Sequence, residues 1–510
     1  MDSLITPNEI PSLLNIAISE HQQGMFQAAL NKYLDILQVF PNQQDALHLA
    51  GLIYYQTGNN SLAVEYINKA IKIAPNHANF HSNLGLAYAA ISDIDKAIDC
   101  YKKATQLAPN HADAWNNLGV SFYNKKEFKQ SINAYKRSIK ANKNHSQAYN
   151  NLGNALREIK DYKEAINQFK NAIRINPNYP EALSNLANTF RDIGKTKSAI
   201  KYYEEAIRVN PQYAQAYNNL GIALYETGSS AEAIERIKKS IELMPNYSDA
   251  YNNLGNIQKE SKKYQEAIFS YQQSLRLDPN SFITHNNIGI AYKELKEYEK
   301  AFGHFSKSIE INPNYEEAYN NLGSVLEAKG EIDKAITNYK TAISLNPQFA
   351  SAINNLGNCL TGKGQIKEAQ EKFQQSIAAD KNFAEAHFNL GTNLMLFGDF
   401  SAGLNEMEWR FKTDIWKNQY KTMFPKPKWD GREFKNKTLL VHDEQGAGDT
   451  IQFIRYIPII KQLGGEIIFH VKPQLQDLIK DIDGIDKVIE AKIGTPPKVD
   501  YDYQISIMSL

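Results

Sequence analysis

A glycine returns every 34 residues through most of this chain. Gly51, Gly85, Gly119 and Gly153 are followed, after Ala187 in the same register, by Gly221, Gly255, Gly289, Gly323, Gly357 and Gly391, and one step back falls on Ala17. No insertion breaks the spacing, so the chain is a tandem array of one 34-residue unit. Each unit of an array packs on its neighbours, so a length of 510 residues need not divide into conventional globular domains.

Other positions keep the same period. Twelve residues after the small residue stands another one: Ala29, Ala63, Ala97, Ser131, Ala165, Ala199, Ala233, Ala267, Ala301, Ala335, Ala369 and Gly403. Four further on the side chain is large and usually aromatic, as in Tyr33, Tyr101, Tyr135, Phe169, Tyr203, Tyr271, Phe305, Tyr339 and Phe373. A proline closes most units, from Pro41 to Pro347, with Lys143 and Lys381 in its place in two. The stretch "AYNNLGNAL" around Gly153 has a helical apolar face, yet a glycine inside a helix costs about 1 kcal/mol relative to alanine. Ten of them must return that cost, and close approach of the helix to its neighbours is the expected return.

At these positions the chain resembles the tetratricopeptide repeat (TPR) family, over residues 10–417 in twelve units. The resemblance implies an all-α array: two antiparallel helices per unit, stacked into a right-handed superhelix with a concave groove.

The asparagines follow the period too. At about 100° per residue, the position two before the glycine lies roughly 160° from it, on the face expected to line the groove. It reads Asn83, Asn117, Asn151, Asn185, Asn219, Asn253, Asn287, Asn321, Asn355 and Asn389 in ten consecutive repeats. An amide both donates and accepts, so such a ladder can bond the backbone of an extended peptide whatever its side chains. The TPR superhelix of the protein O-GlcNAc transferases carries a similar ladder that holds substrate peptide, which is what the resemblance implies here. The other reading is that duplication copied the residue and that it bonds an adjacent helix, stiffening the stack. The second asparagine of the pair (Asn116, Asn150, Asn218, Asn252, Asn286, Asn320, Asn354) lies about 60° from the glycine and reads as an inter-repeat contact. Beyond the glycine, Arg157, Arg191, Lys259 and Lys293 are each followed by an acidic residue, the pattern of a solvated face.

Composition removes several function classes. The net charge is +1, from 57 basic and 56 acidic residues, which gives no electrostatic case for nucleic acid or an anionic membrane. No apolar run reaches membrane-spanning length and the N-terminus does not read as a signal peptide, so no membrane insertion is expected. Cys100 and Cys359 stand far apart in different repeats and read as ordinary helix residues of a reducing compartment. The expected location is the cytoplasm.

Near residue 417 the repeat decays into "EWRFKTDIWKNQYKTMFPKPKWDG", rich in aromatics, and residues 418–436 read as cap and linker. From 437 to 510 the pattern becomes a small α/β domain. "TLLVH", "EIIFHV", "DKVIE" and "DYQISIMSL" read as strands, "TIQFIRYIPIIKQLG" and "PQLQDLIKDI" as helices, and "DEQGAGD" as a turn, which predicts a parallel sheet. Gly446 and Gly448 form a Gly-x-Gly loop without the Lys-Ser/Thr of a phosphate loop or the third glycine of a dinucleotide fingerprint. "LLVHDEQGAGDTIQFIRYIPIIKQLGGEIIF" as a whole resembles the first βαβ unit of heptosyltransferase-like glycosyltransferases, whose fold is the two-domain GT-B type. The resemblance implies a partial Rossmann-like domain with Asp449 as the acceptor-activating base; the alternative is Asp449 as a helix N-cap. The O-GlcNAc transferases instead carry a Gly-Tyr-Val-Ser-x-Asp-Phe-x-x-His type segment here, which counts against that activity.

The expected function is therefore a scaffold binding protein or peptide segments in its groove, with an incomplete transferase-like domain ending at Leu510. The alternative is a TPR-guided glycosyltransferase seen as a fragment. No metal or cofactor is expected, a nucleotide-sugar donor entering only for a longer, complete transferase.

Overall fold

The structure, a computed structural model, describes residues 6–413, 416, 420, 422–444, 446–492 and 495–510. It divides into two compact units, Met1–Lys262 and Lys263–Leu510. In the first, helices alternate from Ile10–Gln22 to Ser248–Glu260; in the second they run on from Tyr264–Leu277 to Phe400–Met407. The first helix of each repeat, helix A, has 13 residues, and the second, helix B, has 14 until the last, which has 8 and passes into a 3-10 turn at Glu408–Lys412.

The glycines face the helix B of their own repeat. A Cβ on Gly85, Gly119, Gly153, Gly289, Gly323 or Gly357 would lie 2.5–2.7 Å from the ring of Tyr101, Tyr135, Phe169, Phe305, Tyr339 or Phe373, sixteen residues later. Those rings are among the largest fully buried side chains. The glycine thus lets an aromatic ring lie on the backbone of helix A. In the last repeat two glycines meet: a Cβ on Gly391 would stand 2.8 Å from the carbonyl oxygen of Gly403, and one on Gly403 2.9 Å from that of Gly391. There the two backbones touch directly.

After the repeats comes a four-stranded sheet: β1 (Thr438–His442), β2 (Glu466–Val471), β3 (Lys487–Glu490) and β4 (Tyr503–Ser506). Every pairing is parallel and the order is β3-β2-β1-β4. One apolar cluster joins Leu439, Val441, Ile467, Phe469 and Ile505 to Ile454, Ile457 and Ile460; a second joins Leu440 and Ile468 to Phe424 and Tyr501. Both faces of β1 and β2 are therefore buried, which is why these strands read as continuous apolar runs.

Three local expectations need correction. The helix expected from Thr450 begins at Ala447 and breaks into Ala447–Phe453, a 3-10 turn Ile454–Tyr456 and Ile457–Lys461. Pro458 explains the break, since it has no N–H to bond residue 454. The helix expected over 473–482 is a 3-10 turn, Pro473–Leu475, followed by Gln476–Ile479. The last strand stops at Ser506, whose hydroxyl accepts the Met508 N–H at 3.3 Å and caps a 3-10 turn, Ile507–Ser509.

Candidate functional site

The asparagine pair is a relay between repeats. Asn151 donates through Nδ2 to Asn116 Oδ1 at 3.0 Å, Asn185 to Asn150 at 3.0 Å and Asn253 to Asn218 at 3.0 Å. In the second unit Asn321 donates to Asn286 at 3.0 Å, Asn355 to Asn320 at 3.0 Å and Asn389 to Asn354 at 2.9 Å. Each pair thus supplies one amide that reaches back and one that receives from the next repeat. The receivers Asn116, Asn150, Asn218, Asn286 and Asn354 are buried, as an inter-repeat contact requires. The reading of an asparagine bonded to an adjacent helix is therefore present in the structure.

Where the receiver is missing, the reaching amide finds another partner. Ser82 and Ser184 stand in the receiving place of two repeats. Asn117 then accepts from its neighbour Asn116 at 3.3 Å, and Asn219 donates to Asn188 Oδ1 at 3.3 Å. Asn83 pairs with the ring of His48 at 2.8 Å. All ten of the singled-out asparagines, Asn287 included, remain partly exposed. Asn15 of the first repeat holds the same place, outside the run of ten, and is exposed.

Asn83 and Asn117 open onto a cavity of about 480 Å³ lined from successive A helices, with His48, Ser82, Asn116 and Gln147 on its walls and Leu86 its one apolar lining residue. The charged positions beside this face are less solvated than expected. Arg157 donates to Asp192 of the next repeat at 2.6 Å with both side chains under a third exposed, and Tyr123 OH donates to Glu158 at 3.2 Å. Burial lowers the affinity of the Lys293 ammonium for its proton, and that ammonium reaches Ser324 Oγ at 3.4 Å.

In the α/β region the helix N-cap is Gly446, and Asp449 is three residues inside the helix. Its carboxylate accepts the Gly446 N–H at 3.1 Å, so the N-cap assignment is corrected to that of a residue bonding back to the cap. A Cβ on Gly448 would meet nothing within 4 Å, and on Gly446 only the Asp449 carboxylate at 3.4 Å and the Gly448 nitrogen at 3.9 Å. Among the described residues nothing presses on the Gly-x-Gly loop.

Two features here carry no signal in the sequence. Arg410, 2% exposed, has all five of its N–H groups engaged. Its Nε bonds Glu444 Oε1, and Nη2 reaches Glu444 Oε2 at 2.8 Å and Ser509 Oγ at 2.9 Å. Its Nη1 donates to Met407 O and Glu408 Oε1, both at 3.0 Å. This ties the end of the last repeat to the carboxyl ends of β1 and β4, where Ser506 also bonds Glu444. The second feature is a pair of buried histidines. His442 on β1 stacks on Phe424 at 3.8 Å and bonds Tyr420 OH at 3.1 Å, and it pairs in register with His470 on β2.

Burial holds His442 down to about 4, and burial with the neighbouring charge of His285 does the same for His304. His48, buried beside His77 and His21, also falls to about 4. An unfolded imidazole takes its proton near pH 6.5. Between pH 6.5 and 4 the unfolded chain therefore binds more protons, and stability present above pH 6.5 is lost as the pH falls. Each such histidine contributes up to about 1.4 kcal/mol per pH unit across that window. Hydrogen-exchange protection around residues 48, 304 and 442, taken relative to the intrinsic amide rate at each pH, should fall between pH 7 and 5. Protection unchanged at these places would show the imidazoles are already charged when folded.

The comparisons with known proteins bear on the repeats. The family model described as the cilia and flagella-associated protein 70 C-terminal domain matches residues 13–250. Tetratricopeptide repeat models match 248–281, 282–315 and 304–337, and a TPR repeat model matches 324–361. Among solved structures, MamA is 27% identical over 32% of this chain and 97% of its own, with a TM-score of 0.30. Yeast Tom70 is 15% identical over 72% of this chain and 91% of its own, at 0.39. The Cut9–Hcn1 hetero-tetramer of APC/C is 15% identical over 80% and 94%, at 0.44. No curated protein matches. Among the described residues no helix is long and apolar enough to cross a membrane. Over residues 248–361 the helix pairs of this chain match tetratricopeptide repeat models, and the same 34-residue helix pair recurs before and after them.

Proposed function

We propose that this protein is a protein-interaction scaffold that holds extended peptide segments on the helix-A face of its repeats. The contacts would be made by the amides of Asn83, Asn117, Asn151, Asn185, Asn219, Asn253, Asn287, Asn321, Asn355 and Asn389. The observation that carries the reading is the relay itself. In the six repeats where it is seen, a single amide N–H is spent on the preceding repeat, and the rest of a partly exposed amide is held in a fixed orientation. Groups fixed before binding lose little freedom on binding, which favours affinity. Bonds to peptide backbone make recognition tolerant of sequence.

Binding and stacking separate at two positions. Asn151→Ala strips the buried Asn116 Oδ1 of its donor, a loss of about 1–3 kcal/mol. Asn117 has no such receiver behind it, and Asn117→Asp removes its N–H groups while keeping the oxygen that accepts from Asn116, so Asn117→Asp should leave the melting temperature nearly unchanged. Both variants should weaken binding of unrelated unstructured peptides, by about fivefold per lost bond, measured by fluorescence anisotropy. Unchanged peptide affinity in both variants, with the melt lowered in Asn151→Ala, would leave the ladder a stacking device only.

A second reading, a heptosyltransferase-like sugar transferase, draws on the parallel order β3-β2-β1-β4 and on Asp449 beside the first strand. Nucleotide-sugar turnover that vanishes in Asp449→Asn would support it, and its absence with every donor tried would remove it.

A further inference from the structure

A parallel sheet presents its carboxyl edge to ligands. At the β1 end that edge is closed by Arg410 and Glu444, but at the β2 and β3 ends it is open. A cavity of about 180 Å³ lies there, walled on one side by Trp416, Tyr420 and Phe424 and on the other by His442 and His470. A second cavity, of about 410 Å³, lies beside it, and His470 and Lys492 line both. His470 is 3% exposed, and its Nδ1 is buried with no hydrogen-bond partner among the described residues. A buried polar atom left unpaired costs about 1–3 kcal/mol, which a ligand at this place would recover.

We propose that this edge binds a small ring-bearing anion, an aryl carboxylate or aryl phosphate, with its ring against the aromatic wall and its charged group bonded by His470 and Lys492. Size sets the ring: an apolar cavity of about 150 Å³ accepts benzene. Charge sets the anion. The carboxylates lining the smaller cavity already have partners, since Asp443 accepts the Lys472 N–H at 3.0 Å and Glu444 is held by Arg410, while Glu490 lies exposed at the larger one. Lys492, exposed where the two cavities join, adds a positive charge, and the imidazole of His470 offers a donor at Nδ1 in its Nδ1–H tautomer. The site shares no residue with the asparagine face and stands or falls independently of it.

The test uses the full chain with benzoate, phenyl phosphate and inorganic phosphate as probes, followed by calorimetry and by imidazole ¹⁵N spectra of histidine-labelled protein. At least one aryl anion should bind saturably with a dissociation constant of about 4 mM or tighter, as about 0.3–0.5 kcal/mol for each non-hydrogen atom of phenyl phosphate predicts. Comparison of the two aryl probes identifies the preferred anion. Binding should shift the His470 resonances, and His470→Phe should weaken it at least about tenfold, the equivalent of one lost charge-assisted bond. Should His470→Phe fail to fold, Lys492→Gln is an exposed change that cannot disturb the core; it should weaken binding several-fold, and less so at high salt. Absence of saturable binding, affinity indifferent to these substitutions, or inorganic phosphate binding as tightly as phenyl phosphate would each overturn the proposal.

Discussion

Arg410→Met is expected to destabilise the junction between the last repeat and the sheet by about 3–5 kcal/mol, because it leaves the Glu444 carboxylate buried without its counter-charge. The Glu444 side chain is 1% exposed and takes two of the five Arg410 bonds. A surface pair gives the contrast. Lys363 reaches Asp333 at 2.6 Å with side chains 43% and 86% exposed, and Lys363→Met should change stability by less than about 1 kcal/mol. The double variant Arg410→Met, Glu444→Met should recover much of the loss, since a buried ion pair replaced by apolar groups is often neutral. The damage should be local. Amide exchange in Thr438–His442 and Tyr503–Ser506 should accelerate, while helices of the Met1–Lys262 unit keep their protection. Equal loss of protection along the whole array, or a double variant as unstable as the single, would show that the ion pair is not what ties these elements.

How much of this was legible beforehand depended on distance along the chain. The period of the glycines, aromatics and prolines identified the helix pairs because duplication repeats a local rule. The same period hid a second rule. Every turn between helix A and helix B has one residue at positive φ, glycine in seven repeats but Ser92, Lys126, Lys160, Lys262 and Lys296 in five. Lysine is not a turn letter, and only the backbone shows the left-handed cap. The asparagine doublet was visible as a pattern, but its cause was not. The reaching amide and its receiver are 35 residues apart, one more than the repeat, so adjacent residues in sequence serve opposite neighbours.

The sheet was read from its apolar runs, and β1 and β2 fell where expected because strands buried on both faces leave an unbroken signal. The broken helix at Pro458 was readable and was overridden by the apolar period around it. Arg410 and His470 were not readable at all. Arg410 meets Ser509 across 99 residues, and its fork needs Glu408, Glu444 and Ser509 converging from three segments. No spacing in one sequence encodes that convergence.

Among the 34-residue-spaced glycines of the Lys263–Leu510 unit, Gly391→Ala should be the most damaging change, at about 3 kcal/mol or more. The new Cβ would stand 2.7 Å from the Met407 nitrogen and 2.8 Å from the Gly403 carbonyl oxygen, and both are backbone atoms of the partner helix. They can retreat only if the whole helix moves. Gly357→Ala meets a different obstacle, the ring of Phe373 at 2.6 Å. A ring can tilt, so its cost should be smaller, about 1–3 kcal/mol, partly offset by up to about 1 kcal/mol of helix propensity. Gly303 lies within the helix Tyr298–Ile311, where a Cβ meets nothing within 4 Å, and Gly303→Ala should stabilise by about 0.5–1 kcal/mol. Three identical substitutions in helices should therefore give one gain and two graded losses, read as chemical-denaturation midpoints of the full chain. If all three shifted stability alike, the glycines would be relics of duplication and not the places where helix A admits its partner.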